Sequence, residues 1–226
     1  MTASVKRVLA FGVFACLSLS DAHAQEKFSL EYLNLYVSAG QVVEVRQESA
    51  GSSQAVVTAY ERKEKGELRS VLGPFDAVIG RNGLAPIEGK REGDGKTPSG
   101  IYPIGVSFGY DPSIATKLDY RQVDQNDLWI DEPQSPDYNR WVRAPTDAKS
   151  FEYLKRDDNL YEVAVVIEYN TNPIVPGNGS AIFMHVYRNI DTPTAGCVAL
   201  AKDDLLKILG WLDKNKKPIM ILGIYE

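Results

Sequence analysis

The sequence predicts a mainly β domain with a few peripheral helices. Three observations point there. Alternating or β-branched runs recur along the chain: "LYVSAGQVVEVRQ", "QAVVTAYER", "PFDAVIG", "VAVVIEYN", "SAIFMHVY" and "PIMILGI". Turn-forming clusters separate them, among them "RNGLAP", "EGDGKTPSG" and "NPIVPGNGS". Only two stretches carry helical spacing. "TDAKSFEYLKRDD" opens on Thr146 as an N-cap, and "KDDLLKILGWLDKNKK" puts Leu205, Leu206, Leu209 and Leu212 on one face, acids first and lysines last.

The chain begins differently. Lys6 and Arg7 precede the apolar run "VLAFGVFACLSLS", too short to span a bilayer, and "AHA" at 22–24 supplies a small-x-small cleavage pattern. Residues 1–24 therefore read as a secretory signal peptide, cut before Gln25. A lipoprotein signal using Cys16 fits less well, because bulky Phe14 stands just before Ala15. No later segment is apolar enough to span a membrane, so a soluble periplasmic or secreted product is expected. Residues 25–226 show no repeat, low-complexity tract or long linker, which makes a single domain the economical reading.

Removing the leader takes Cys16 and His23 with it, leaving one cysteine, Cys197, and one histidine, His185. No intramolecular disulfide can form, so the core must hold the fold. About 200 residues is enough, since a domain that long buries roughly 70% of its unfolded surface. One Cys and one His make a zinc site of the usual nitrogen and sulfur kind an unfavoured reading. The formal charge of −5 becomes −6 once Lys6, Arg7 and Asp21 are gone, which argues against nucleic acid or an anionic membrane as partner.

Between the strands, the loop "KREGDGKTPSG" (Lys90 to Gly100) combines cations with glycines that permit close backbone approach. Its composition reads first as a long connection, and second as a site for a carboxylate ligand. It lacks the spacing of a phosphate-binding P-loop.

His185 lies in "AIFMHVY", where Phe183, His185 and Tyr187 alternate against Ile182, Met184 and Val186. Cys197 follows after a turn around Asp191 to Pro193. A thiol near an imidazole can be activated as a thiolate, Gly196 fits a tight turn that exposes sulfur, and amides there could hold an oxyanion. A lone cysteine is also often a small buried hydrophobe, and a lone histidine a satisfied core residue. Export favours the functional reading, because an unpaired thiol outside the cytoplasm risks oxidation.

The stretch "SAIFMHVYRNIDTPTAGCVALAKDDL" resembles the catalytic segment of the YkuD-type L,D-transpeptidases of bacterial cell walls. "IGRNGLAPIEGKREGDGKTPSGIYPIGVSFGY" is similar to that family's middle region, and "LWIDEPQSPDYNRWV" to a segment of one branch. The resemblance runs from about Phe75 onward, leaving the first fifty mature residues unmatched. It implies a YkuD-like fold and cysteine acyl transfer on peptidoglycan stem peptides, hence cell-wall cross-linking or remodelling, with no metal or organic cofactor required. Carried over, Cys197 is the nucleophile, His185 its base, and Gly196 a backbone contributor beside the sulfur. Two departures stand out: Ala195 where the family has histidine, and Ala199 where it commonly has arginine or asparagine. Both remove polar groups beside the nucleophile and leave acceptor choice open.

Further candidates for substrate contact are Arg188, Tyr187, Thr194, Tyr138 and Asn139. Arg188 would reach the site only if the strand ends before it; otherwise it is a surface cation. Tyr187 reads equally as core, Tyr138 and Asn139 equally as turn residues, and Trp129 and Trp141 as packing anchors. The same Cys/His pair with water as acceptor would make an L,D-carboxypeptidase or amidase, and a degenerate site a wall-binding module. The sequence is silent on assembly state.

Overall fold

β-branched alternation produces strands, and their pairing leaves few edges. The computed structural model describes residues 35–64 and 66–223. The expected leader, 1–24, lies outside them. In chain order the elements are β1 (Gln41–Gln47), β2 (Gln54–Arg62), β3 (Leu68–Val78), β4 (Leu84–Ala85), β5 (Thr97–Pro98), β6 (Gly100–Gly109) and β7 (Tyr120–Gln122). There follow β8 (Asp127–Ile130), β9 (Trp141–Arg143), β10 (Phe151–Tyr153), β11 (Val163–Ile167), β12 (Phe183–Val186) and β13 (Val198–Leu200). Helix α1 (Lys202–Trp211) and β14 (Ile219–Leu222) come next.

The main sheet runs β11-β12-β13-β3-β2-β1-β14-β6, and β6 also pairs with β11, so it closes into a barrel. Closure gives those backbone groups partners and removes the edges on which chains aggregate. β12 and β13 are parallel, with Met184 opposite Val198 and His185 opposite Ala199. A parallel pair obliges the chain to travel back between them, and residues 187–197 do so.

Two apolar clusters lie on opposite faces of the wall formed by β6, β11 and β12. On one, Val165, Met184, Val198 and Leu200 pack with Leu205, Ile208 and Leu209 of α1. On the other, Phe108, Phe183 and Tyr161 meet Trp129 of the small sheet β10-β8-β9. Phe183 sits edge-on to Trp129 at 5.0 Å and to Phe108 at 5.4 Å. Such aromatic pairs add about 0.5–1.5 kcal/mol each beyond burial. The alternation read at β12 is thus real: Met184 faces the helix, Phe183 and His185 the small sheet.

The helix expected from Thr146 does not form. Thr146 Oγ1 accepts from the Ala148 amide at 3.2 Å, a local turn, and Phe151–Tyr153 is strand β10 beside β8. The stretch lacks a sustained apolar stripe; Phe151 and Tyr153 instead share one strand face, ring on ring at 5.3 Å. The second helix forms but ends at Trp211, with its lysines in a 3₁₀ turn at Lys214–Lys216. Its buried face is Leu205, Ile208 and Leu209, with Leu206 only partly covered.

Asp127 anchors the small sheet. Its fully buried carboxylate accepts from Arg121 (2.8 Å), Arg143 (3.0 Å), Trp141 Nε1 (2.9 Å) and the Asp124 amide (2.9 Å). Asp127→Ala strands the Trp141 and Asp124 donors, while the half-exposed arginines can turn to water, and is expected to cost about 1–3 kcal/mol in urea unfolding. Lys207→Ala, which breaks an exposed pair with Asp204, should cost below about 1 kcal/mol in the same assay.

Candidate active site

Where the barrel wall meets the small sheet, a cleft of about 410 Å³ opens, and both Cys197 and His185 line it. Parallel register explains why. Cys197 immediately precedes β13 and lies level with Phe183, whose amide donates to Sγ at 3.4 Å, while the thiol donates to the Ala181 carbonyl at 3.2 Å. His185 is two residues beyond Phe183 on the same face. Its register partner is Ala199, whose small side chain leaves the cleft open beside the imidazole.

The turn before Cys197 is tied down at one carbonyl. The Cys197 carbonyl accepts from Thr194 Oγ1 (2.6 Å) and Thr97 Oγ1 (3.3 Å), and Thr97 Oγ1 accepts from the Gly80 amide (2.9 Å). Thr194 Oγ1 also accepts from the Gly196 amide at 3.1 Å. Gly196 takes φ +157°, and a Cβ there would meet the Lys96 carbonyl at 2.9 Å. The glycine-rich loop is therefore a wall of the site, not a mere connection. Its Lys90 is 4% exposed, lines the cleft and pairs with Asp94 at 2.6 Å.

The thiol and the imidazole both rest neutral. Burial pushes the Cys197 thiol up to about 12; the Glu152 charge adds to this, while the Phe183 amide and Tyr161 hydroxyl oppose it. Burial takes the His185 imidazole down to about 4, against the pull of the Val186 carbonyl. Nδ1 lies 2.8 Å from that carbonyl, which can only accept, so Nδ1 carries the hydrogen and Nε2 keeps its lone pair.

Of the other expected residues, Tyr187, Arg188 and Thr194 line the cleft. β12 ends at Val186, so strict alternation stops before Arg188, which bonds Asp158 at 3.3 Å. Tyr138 and Asn139 lie beneath the cleft rather than along it. Tyr138 donates to Glu92 at 2.5 Å and accepts from the Gly179 amide. Asn139, at φ +56°, accepts from Trp129 Nε1 and the Ala181 amide and donates to the Tyr169 and Asn170 carbonyls. It thereby fixes the residue whose carbonyl receives the thiol. Trp129 and Trp141 pack against Phe183 and Phe108.

The sequence reading missed Tyr161, Glu152, Asp131 and Arg156, all on the cleft. Tyr161 sits edge-on to the His185 ring at 5.1 Å and donates to Glu152, with the Arg156 guanidinium 5.1 Å over its face. Asp131 Oδ1 is buried with no hydrogen-bond partner, and burial raises its carboxyl. No sequence spacing links these residues; β10–β8 pairing sets Glu152 opposite Trp129, near Asp131 just past β8, and Arg156 and Tyr161 come from the segment between β10 and β11. Among the described residues no group of His, Cys, Asp and Glu could hold a metal ion.

The family model of the YkuD L,D-transpeptidase catalytic domain matches residues 51–221. The chain belongs to that family. The match starts well before Phe75, where the recognisable motifs begin, and takes in β2 and β3. No curated protein and no solved structure matches the chain. A YkuD domain is an enzyme domain acting on peptidoglycan, and its mainly β, barrel-like fold is the one described above. Among the described residues no helix is long and apolar enough to cross a membrane.

Two consequences are measurable. With its folded value near 4 and an unfolded value near 6.5, His185 binds more protons unfolded, so it favours the fold above pH 6.5 and loses that contribution down to pH 4. The loss amounts to about 3 kcal/mol. His185→Phe should flatten this part of the stability–pH curve in urea titrations. Gly196→Ala, crowding the Lys96 carbonyl, should lower stability by about 1–3 kcal/mol in thermal unfolding.

Proposed function

We propose that this YkuD domain is a periplasmic cysteine acyltransferase on peptidoglycan stem peptides, exported by a leader at residues 1–24. Cys197 is the nucleophile and His185 the base. The observation that carries the reading is the parallel β12–β13 register, which sets thiol and imidazole on one face of one cleft.

The proton rests on sulfur, since burial opposes both charged forms. Deprotonation therefore accompanies attack: Nε2 of His185 takes the thiol proton as Sγ adds to the carbonyl between the third stem residue and D-alanine. The tetrahedral intermediate collapses to a thioester, and the imidazolium returns its proton to the departing D-alanine amine. The Gly196 amide is occupied by Thr194, so the Cys197 amide is the better donor for the oxyanion. An amine of a second stem peptide then takes the acyl group and gives a cross-link.

The wall charges suit such a ligand. Arg81, Lys90, Arg156 and Arg188 can meet its carboxylates, and Glu92, Asp131 and Glu152 its ammonium groups. Tyr187 and Thr194 complete the lining, while Tyr138 and Asn139 hold the floor in place. Ala195, exposed at the rim, and Ala199, facing His185, leave acceptor choice to these more distant charges.

The test is mass spectrometry of purified protein with a disaccharide tetrapeptide, alone and with added D-amino acid. A thioester on Cys197 followed by dimers or D-amino-acid exchange is expected. Trimming to tripeptide alone would make water the acceptor and the enzyme a carboxypeptidase, and no adduct would remove the nucleophile. Cys197→Ala should abolish the adduct, and His185→Ala should slow its formation about 10²–10⁴-fold.

A further inference from the structure

The chemistry so far uses Cys197 and His185 but leaves unexplained a buried tyrosine between them and a carboxylate. Tyr161 is 4% exposed and wedged edge-on against His185 at 5.1 Å and Phe183 at 5.5 Å. Packing alone would be served by phenylalanine. Instead its hydroxyl is buried and donates to Glu152 of β10. Tyr161 packs in one buried cluster with Cys197, and both line the same cleft.

We propose that Tyr161 and Glu152 act as a positioning pair on Cys197: the Tyr161 hydroxyl donates to Sγ once the thiol proton has left, and Glu152 holds that hydroxyl until then. The inference rests on Cys197 being the nucleophile and adds what governs its ionisation. A hydroxyl carries one hydrogen, so a bond given to the carboxylate is withheld from sulfur. The two partners therefore act with opposite sign. The hydroxyl stabilises thiolate by a charge-assisted bond, and the Glu152 charge opposes it.

Other charges face the group as well. Lys90 on the glycine-rich loop favours thiolate, and Arg156 lies over the Tyr161 ring and beside Asp158. Burial is the main cause that raises the Glu152 carboxyl; the Tyr161 hydroxyl and Arg156 oppose it, and Asp131 and Glu92 add to it. All but Asp158 line the cleft, so a cationic group of a bound stem peptide would sit against the carboxylate wall and weaken its hold on the hydroxyl. Occupancy of the cleft then favours the reactive form of the thiol.

The experiment is iodoacetamide alkylation of Cys197 in the folded protein, followed by intact mass from roughly pH 7 to 10, where rate tracks thiolate fraction. Tyr161→Phe keeps the ring and should slow alkylation about tenfold, equivalent to a rise of about one pH unit. Glu152→Gln should speed it several-fold. A merely structural pair would move both variants the same way, and that result, or no movement, overturns the proposal. If Glu152→Gln does not fold, 3-fluorotyrosine at position 161 carries the test. Its more acidic hydroxyl should speed alkylation, and an unchanged rate overturns the pair. Wild-type protein that neither alkylates at Cys197 nor forms a thioester with tetrapeptide removes the nucleophile and the pair together. Normal thioester formation with unmoved variant rates removes the pair alone.

Discussion

A single backbone carbonyl, that of Cys197, holds the site together. Thr194 reaches it from the turn just before the cysteine, and Thr97 from the glycine-rich loop a hundred residues earlier. Thr97 in turn receives the Gly80 amide beyond β3. Three remote stretches thus meet at the residue that carries the sulfur. Because the carbonyl is committed on one side of the chain, the side chain is sent to the other, toward Phe183 and the cleft. Gly196 is required at the junction because the Lys96 carbonyl occupies the space a Cβ would need.

That rigidity suits a site whose reactive groups are uncharged at rest. A thiolate–imidazolium pair would bring its own attraction; a neutral thiol and a neutral imidazole do not, so their placement must come from the scaffold. Backbone groups supply it. The Phe183 amide and Ala181 carbonyl hold sulfur, the Val186 carbonyl holds Nδ1, and Asn139 holds the Ala181 amide from below. The cost of burying two ionisable groups is limited because neither is ionised.

How much of this could be read beforehand depended on the range of the interaction. Residues 54–62 alternate, and β2 spans those residues; 202–211 carry an apolar face with leading acids, and α1 forms there. Local chemistry decides such elements. The Thr146 stretch shows the limit: its spacing was compatible with a turn of helix, but pairing with β8 made part of it a strand. The Cys197 and His185 pair was suggested by neighbouring motifs and by the scarcity of both residue types. Asn139 reads as a turn residue because it is one, at φ +56°, yet its four hydrogen bonds join segments no local pattern connects. Tyr161 and Glu152 meet only after the small sheet has docked on the barrel.

The pairing of β1 with β14 carries a consequence for the order of assembly. Val42 pairs with Ile219 and Val45 with Leu222, so the barrel closes only when strands about 175 residues apart come together. Such distant contacts are entropically late, because the loop between them must be ordered first. β14 also forms one side of β6, which supports β11 and through it β12, the histidine strand. A chain still emerging from a ribosome has no such support until residue 222 is free. The Cys197–His185 cleft therefore depends on a strand far downstream of both residues, and local folding around the cysteine does not complete it.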